Sequence, residues 1–307
     1  MKILLLGSQG QLGQELQLTL PSIGEVTAWN RADIDLTDLD KIVPAVVAQQ
    51  PDVIINAAAY TAVDAAESEP ALAHQINAAA PECLAQAAAT CKATLVHIST
   101  DYVFDGQQNQ PYQTDAATNP LGVYGQSKRT GELAIQAATP RHAILRTAWV
   151  YGAKGKNNFV KTMLRLGAER RELRVVYDQI GSPTWAYDLA QAITQLTPQL
   201  NEQTFGTYHY TNSGAISWYD FAVAIFEEAS VLGYRLQIDH VQPITSDQYP
   251  TPAKRPAYSV LANEKLARLI GQTAPHWRVS LRKMLQENLQ PNTAIQHDHE
   301  GANFIRR

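Results

Sequence analysis

Tyr124 and Lys128 stand four residues apart in Tyr124-Gly-Gln-Ser-Lys128. Four residues is about one helical turn, so at the start of a helix both side chains project from one face. A tyrosine hydroxyl has an unperturbed pKa near ~10, too high for easy proton exchange at neutral pH. A nearby ammonium favours the phenolate, and the pair can then hand a proton to a carbonyl oxygen while hydride arrives at carbon. The spacing alone is weak, because it occurs by chance in many helices. Its position gives it weight. Upstream lies Ser99-Thr100-Asp101-Tyr102-Val103-Phe104. A strand ends at Ser99, which leaves Thr100 at the carboxyl edge of a sheet, where open α/β folds take ligands. A hydroxyl there can donate to an oxygen as negative charge develops on it. Thr100, Tyr124 and Lys128 form the candidate catalytic set.

A second group of residues points to the cofactor such chemistry needs. Gly7-Ser8-Gln9-Gly10-Gln11-Leu12-Gly13 follows a first strand directly and opens a first helix. A pyrophosphate needs backbone N–H groups aimed at it and the positive end of a helix dipole beneath it. Glycine keeps side chains out of the close approach, and the third glycine lets helix and strand pack tightly. The spacing is G-x-x-G-x-x-G, similar to that of the short-chain dehydrogenase/reductase superfamily in its extended branch. Lys128 is then expected on the nicotinamide ribose as well. The end of the second strand, Trp29-Asn30-Arg31, carries no carboxylate before Asp33. A carboxylate there would bond the ribose 2′-hydroxyl and an arginine would accommodate a 2′-phosphate, so Arg31 predicts a preference for NADPH with NADH accepted. Asp35 and Leu36 fall where the superfamily contacts adenine.

The elements that must position these residues follow from periodicity. Short apolar runs at Lys2–Leu6, Glu25–Trp29, Asp52–Asn56, Thr94–Ser99 and 141–147 read as strands. Between them lie helical patterns. Leu12, Leu16 and Leu20 share one face; a helix from an N-cap at Thr37 to about Gln50 contains Pro44, which predicts a kink or a late start; Ala71–Thr90 reads as one long helix, and 124–138 as another. This alternation predicts an α/β fold, a Rossmann-type doubly wound parallel sheet with helices on both faces and a smaller C-terminal substrate-binding lobe. Residues 1–150 are the expected dinucleotide-binding domain, to which part of the later chain could return. Residues 151–290 are mainly the substrate lobe, with helices at Leu189–Leu196, 217–229 and 263–270, strands at 173–177 and 207–211, and a loop with four prolines at 242–256. Residues 291–307 are a polar tail.

Composition removes other classes of function. The chain has 307 residues with 45% hydrophobic and 18% charged, so it can bury a sizeable core and is not disordered throughout. Its formal net charge of −4 offers no basic excess for nucleic acid. Ile3-Leu4-Leu5-Leu6 stops at Gly7, short of a secretory apolar core, and no run is long enough for a bilayer, so a cytoplasmic location is expected. Cys83 and Cys91 lie on one predicted helix and read as ordinary thiols, neither a disulfide nor a metal pair. His97 inside the fourth strand reads as a packed core residue. Asp64, Glu67 and Glu69 read as solvated residues at the start of a helix. Trp149 could stack on a ligand ring or simply pack.

Several longer segments carry a closer resemblance. Asn56-Ala-Ala-Ala-Tyr-Thr-Ala-Val-Asp64, Ser99–Phe104, Arg146–Gly152, Asp178–Thr184 and Tyr249-Pro-Thr-Pro-Ala-Lys-Arg-Pro256 resemble the dTDP-4-dehydrorhamnose reductase family, over about residues 1–290. The resemblance implies NAD(P)H-dependent reduction of the 4-keto group of a dTDP-linked sugar, with Thr100, Tyr124 and Lys128 catalytic. It implies Asp101 and Trp149 as substrate contacts, beside Thr100 and Tyr124. It implies Gly10, Gln11, Leu12, Asp35, Leu36, Ala59, Tyr60 and Thr61 as cofactor contacts. The implied partner is a small nucleotide sugar, and the family pattern includes a homodimer. Some members bind Mg²⁺ through three glutamates at that interface. Glu15 and Glu287 match two of them, but the middle position falls at Tyr187, beside Asp188, and a hard cation wants carboxylate oxygens. No metal is assigned.

Two rivals remain. Nucleotide-sugar dehydratases resemble the Thr100 motif but read Thr-Asp-Glu, where this chain has Tyr102. The regulatory subunit of methionine adenosyltransferase shares the fold and binds a partner without catalysing. The intact Thr100, Tyr124 and Lys128 set argues against that role.

Overall fold

The computed structural model describes residues 1–289; the polar tail expected from 291 lies outside the described residues. The chain runs β1 (Lys2–Leu6), α1 (Gln11–Thr19), β2 (Glu25–Trp29), α2 (Leu39–Gln49), β3 (Val53–Asn56), α3 (Val63–Ala66), α4 (Pro70–His74), α5 (Ala80–Cys91), β4 (Thr94–Thr100), α6 (Val123–Ala138) and β5 (His142–Thr147). It continues with β6 (Val150–Tyr151), α7 (Phe159–Glu169), β7 (Glu172–Val176), β8 (Ile180–Gly181), β9 (Thr184–Trp185), α8 (Ala186–Leu196), β10 (Gly206–His209), β11 (Ile216–Ser217), α9 (Trp218–Val231), β12 (His240–Ile244), α10 (Glu264–Ile270) and α11 (Trp277–Leu289).

Six strands form one sheet in the order β2-β1-β3-β4-β5-β10, every pair parallel. The chain leaves β1 for β2 on one side and returns to β3 on the other. The strand order therefore reverses between β1 and β3, and a crevice opens beyond their carboxyl ends. The inner strands are apolar on both faces because helices cover both. Leu12 and Leu16 of α1 with Leu189 and Ile193 of α8 seal one face. Ile42 and Val46 of α2 with Leu84 and Ala88 of α5 seal the other. The chain thus returns to the large sheet through α8 and β10. A separate core gathers α7, α9 and α11 over β7, with Phe221, Ile225, Leu281 and Met284 at its centre.

Three local expectations need correction. First, α2 begins after Asp38 rather than Thr37 and runs through Pro44, close enough to its start to forfeit a single backbone bond. Thr37 instead donates its N–H and hydroxyl to Asp35 Oδ1, at 2.9 and 2.8 Å. Second, the expected long helix from Ala71 is broken by a π-helical turn, Gln75–Ala79, between α4 and α5. Third, β12 takes up the first residues of the proline-rich loop. It pairs parallel with β7 and carries Pro243 in a two-stranded sheet, where both strands are edges and a missing donor is tolerated.

Candidate active site

The glycine turn sits at the mouth of the β1/β3 reversal. Gly7 adopts φ +78°, and a Cβ there would come within 2.6 Å of Ala58 N at the end of β3. Its glycine is required by that close approach and by the left-handed turn. A Cβ on Gly13 would lie 2.1 Å from Gly7 O, so α1 can rest on the turn only with glycine there. Gly10 meets only Gly7 O, at 3.1 Å, and faces the cleft. No side chain caps α1, so its first N–H groups are free to receive an anion. A pyrophosphate fits this cradle. Gln11 spans the cleft: its Nε2 donates to Val150 O at 3.0 Å and its Oε1 accepts from Asn158 Nδ2 at 2.7 Å.

All the sequence-predicted site residues except Gly13 line one cleft of about 910 Å³. Arg31, Asp35 and Leu36 stand at one end, with Arg31 Nη2 3.3 Å from Asp35 Oδ2 and the arginine side chain 82% exposed. Hydrogen bonds from Thr37 hold the Asp35 carboxyl below its ordinary range, with Arg31 adding to the effect. Ala59, Tyr60 and Thr61 form the middle, and Thr100, Asp101, Tyr124, Lys128 and Trp149 the far end.

Two close contacts set the catalytic helix. A Cβ at Gly125 would lie 2.2 Å from Tyr102 O, and one at Gly131 would lie 2.1 Å from Asn77 O. Glycine at both positions lets α6 press onto the turn after β4 and onto the π-helical turn. Asn77, in that turn, accepts from Tyr60 N at 2.9 Å and donates to Tyr60 O at 3.0 Å and to Ser127 Oγ at 3.1 Å. It therefore pins the cofactor loop to the catalytic helix. Glu67 Oε1 accepts from Val123 N at 2.9 Å, a carboxylate on the amino end of α6. Glu67 is thus a cap, not a solvated charge. Glu69 accepts from the Tyr60 hydroxyl at 2.6 Å, and Asp64 meets Arg255 Nη2 at 2.8 Å. Asp64 anchors the proline-rich loop to the sheet domain.

The electrostatics differ from the simple picture of a phenol acidified by an ammonium. Burial pushes the Tyr124 hydroxyl up to about 12; contact with Thr100 lowers it and Asp101 raises it. Lys128 Nζ points inward, donating to Ile98 O at 2.6 Å and lying 3.1 Å from His97 Nε2. Burial lowers Lys128 to about 8, against the pull of Glu132. The Thr100 hydroxyl donates to Asp101 Oδ1 at 3.0 Å, while Asp101 Oδ2 is buried with no hydrogen-bond partner among the described residues. Burial lifts Asp101 to about 6, with hydrogen bonds from Ser259 and Thr100 holding it down. Behind α6, the fully buried Glu132 takes Arg146 through two bonds of 2.8 and 2.7 Å.

Trp149 has a left-handed φ of +48°. Its ring stacks on Trp218 with centroids 3.5 Å apart. The family's metal does not fit these residues. Lys154 Nζ lies between the two matching carboxylates, 3.1 Å from Glu15 Oε2 and 2.8 Å from Glu287 Oε1, so an ammonium already occupies the place between them. Tyr187 takes the middle position, and Asp188 is turned inward to Asn212 at 2.7 Å.

A parallel sheet that brings a tyrosine and a lysine, one helical turn apart, to the far end of a dinucleotide cradle is the arrangement of the extended short-chain dehydrogenase/reductases. Residues 1–290 match the sequence family described as the RmlD substrate binding domain. The dTDP-4-dehydrorhamnose reductase of Escherichia coli K12 is 44% identical over 301 residues, covering 96% of this chain and 100% of that one. The crystal structure of a dTDP-4-dehydrorhamnose reductase from Clostridium acetobutylicum superposes with a TM-score of 0.87 at 42% identity, over 94% of this chain and 99% of that one. That of the Bacillus anthracis reductase in complex with NADP gives a TM-score of 0.86 at 38% identity, over 93% and 99%. The chain belongs to the dTDP-4-dehydrorhamnose reductase family.

Proposed function

We propose that the protein reduces the 4-keto group of dTDP-4-dehydro-L-rhamnose to dTDP-L-rhamnose at the expense of NADPH. The observation that carries this reading is the single cleft with an uncapped glycine-turn helix at one end and Thr100, Asp101, Tyr124 and Lys128 at the other. Gly10 and the first N–H groups of α1 hold the pyrophosphate. Arg31 receives the 2′-phosphate that distinguishes NADPH, and NADH is accepted less well. When bound, the nicotinamide supplies hydride to the sugar carbonyl carbon.

The chain's own groups handle the oxygen. The Tyr124 hydroxyl donates its proton to the carbonyl oxygen, and a phenol with its pKa held high by burial stays protonated until that moment. Thr100 donates a second hydrogen bond to the same oxygen, giving up its bond to Asp101. Asp101 Oδ2, buried and without a hydrogen-bond partner among the described residues, accepts from a sugar hydroxyl. Trp149 and the second lobe form the wall against which the nucleotide sugar packs.

The rival dehydratase reading needs a second acid–base group at Tyr102. That step calls for a base, and burial pushes the Tyr102 hydroxyl far above its ordinary range, so it keeps its proton where a carboxylate would have none. The test is loss of NADPH absorbance with dTDP-4-dehydrorhamnose generated in situ, run in parallel with NADH. Oxidation faster with NADPH is expected; no oxidation with either cofactor removes the reading in favour of a binding role.

A further inference from the structure

Asn56, His97 and Lys128 form a buried file behind the catalytic pair, and the proton-donor chemistry above leaves Asn56 and His97 without a task. Asn56 and His97 are wholly inaccessible and Lys128 is 1% exposed. The direction of each hydrogen bond can be followed along the file. Ala58 N–H donates to Asn56 Oδ1 at 3.1 Å. This fixes the amide, with its oxygen towards Ala58 and its NH₂ towards His97. Asn56 Nδ2 lies 3.1 Å from His97 Nδ1, so Nδ1 must be the accepting nitrogen. Burial alone is enough to hold His97 well below its ordinary range, so the ring is neutral and its one proton sits on Nε2. That N–H points at Lys128 Nζ, 3.1 Å away. Lys128 Nζ in turn donates to Ile98 O at 2.6 Å. An ammonium has three N–H groups and no acceptor, so it would set N–H against N–H. An amine accepts from His97 and donates to Ile98, and every bond in the file is then made.

We infer that His97, oriented by Asn56, is a positioning residue that presents an Nε2–H donor to Lys128 and so shifts the lysine nitrogen from ammonium towards amine. The inference rests on the reductase reading only for its consequence, not for its geometry. The groups facing Lys128 pull in opposite directions. His97 comes from β4. Glu132, on α6, favours the ammonium, but its carboxylate is shared with Arg146 of β5 and with Arg129. Lys128 therefore takes up a proton near neutral pH instead of remaining a permanent cation. The ammonium that binds a ribose hydroxyl and steadies a phenolate is thus one of two forms in exchange at the working pH.

The first test needs no substrate. In the full chain labelled with ¹⁵N-histidine, the His97 signal is expected with Nε2 protonated and Nδ1 bare at pH 8.5; the signal lost from the His97→Gln spectrum assigns it. A proton on Nδ1 overturns the inference whether or not the chain reduces the sugar. The second test is kinetic. A glutamine amide can turn its oxygen to an ammonium without a tautomer mismatch, so His97→Gln is expected to move the alkaline limb of kcat/KM upward by about one pH unit, a tenfold change in proton affinity. A limb that stays in place, with the reductase active, also overturns it. Absence of any reductase activity, with the expected histidine spectrum, counts against the functional reading and leaves the tautomer assignment standing.

Discussion

Replacing Glu132 tests how far the catalytic helix depends on charge buried beneath it. Its carboxylate is fully buried and accepts three bonds: from Arg146 Nε at 2.8 Å, Arg146 Nη2 at 2.7 Å and Arg129 Nη1 at 2.9 Å. Arg146 is itself 2% exposed. Glu132→Ala removes the partner and leaves a guanidinium in the protein interior, a loss of about 3–5 kcal/mol. At ~2–4 °C per kcal/mol for domains of roughly this size, Tm falls by roughly 6–20 °C. The double variant Glu132→Leu with Arg146→Met removes both charges and is expected to recover most of that loss. The pH dependence has a definite sign. Burial opposes the carboxylate, but Arg146, Ser99 and Arg129 together outweigh it and hold the pKa below the ordinary value. The stability it contributes is therefore present above the unfolded carboxylate's pKa and lost as pH falls through the folded one. Denaturant unfolding of wild type and variants at pH 7 and pH 4 measures both effects. A Glu132→Ala cost below about 1 kcal/mol would refute the reasoning, since that is the scale of a solvent-exposed pair.

Other expectations follow from the same site. Tyr124→Phe should lose about 10²–10⁴-fold in kcat while NADPH still binds, by fluorescence titration; near-normal turnover would remove Tyr124 as the proton donor. Arg31→Ala should cut the NADPH-to-NADH preference by roughly two- to fivefold, the scale of one exposed charge contact of about 0.5–1 kcal/mol, and an unchanged ratio would assign the 2′-phosphate elsewhere. Because the Lys154 ammonium already sits between Glu15 and Glu287, where a cation would have to go, Tm should not respond to EDTA or Mg²⁺ in the wild type, whereas Lys154→Met should lower Tm and make it rise with added Mg²⁺. Asp101, lifted from 3.8 to about 6, favours the fold when protonated. Wild-type stability should therefore fall relative to Asp101→Asn as pH rises through that interval, and parallel curves would count against the shift.

The parts of the molecule legible in the sequence are those set by short-range patterns. β1, β2 and α6 follow from apolar runs and helical spacing, and the glycine turn and Tyr124-x-x-x-Lys128 from fixed offsets on them. Two helices went unread although their signal was present. Val160, Met163, Leu164 and Gly167 of α7 recur at helical spacing behind an N-cap at Asn158, and Trp277, Leu281, Met284 and Leu285 do so on α11. What could not be read are pairings across long stretches of chain. Asp64 meets Arg255 191 residues away, and Lys154 meets Glu15 139 residues away. No periodicity encodes such partners; they are fixed by the order in which strands join the sheet. For the same reason a valine-flanked His97 looks like packing until β3 is laid beside β4 and Asn56 appears opposite it.

Trp149 is held from two directions at once. Its indole lies against Gly181, where a Cβ would come within 2.5 Å of the ring, and against the parallel face of Trp218. The backbone accepts a left-handed angle that costs a non-glycine residue about 1–2 kcal/mol in order to keep the ring there. Such a block has little freedom to move within the cleft it lines. A relaxed backbone and a rigid cleft wall therefore compete at this one position: glycine at 149 would relieve the chain and would also strip the ring from the lining of the cleft.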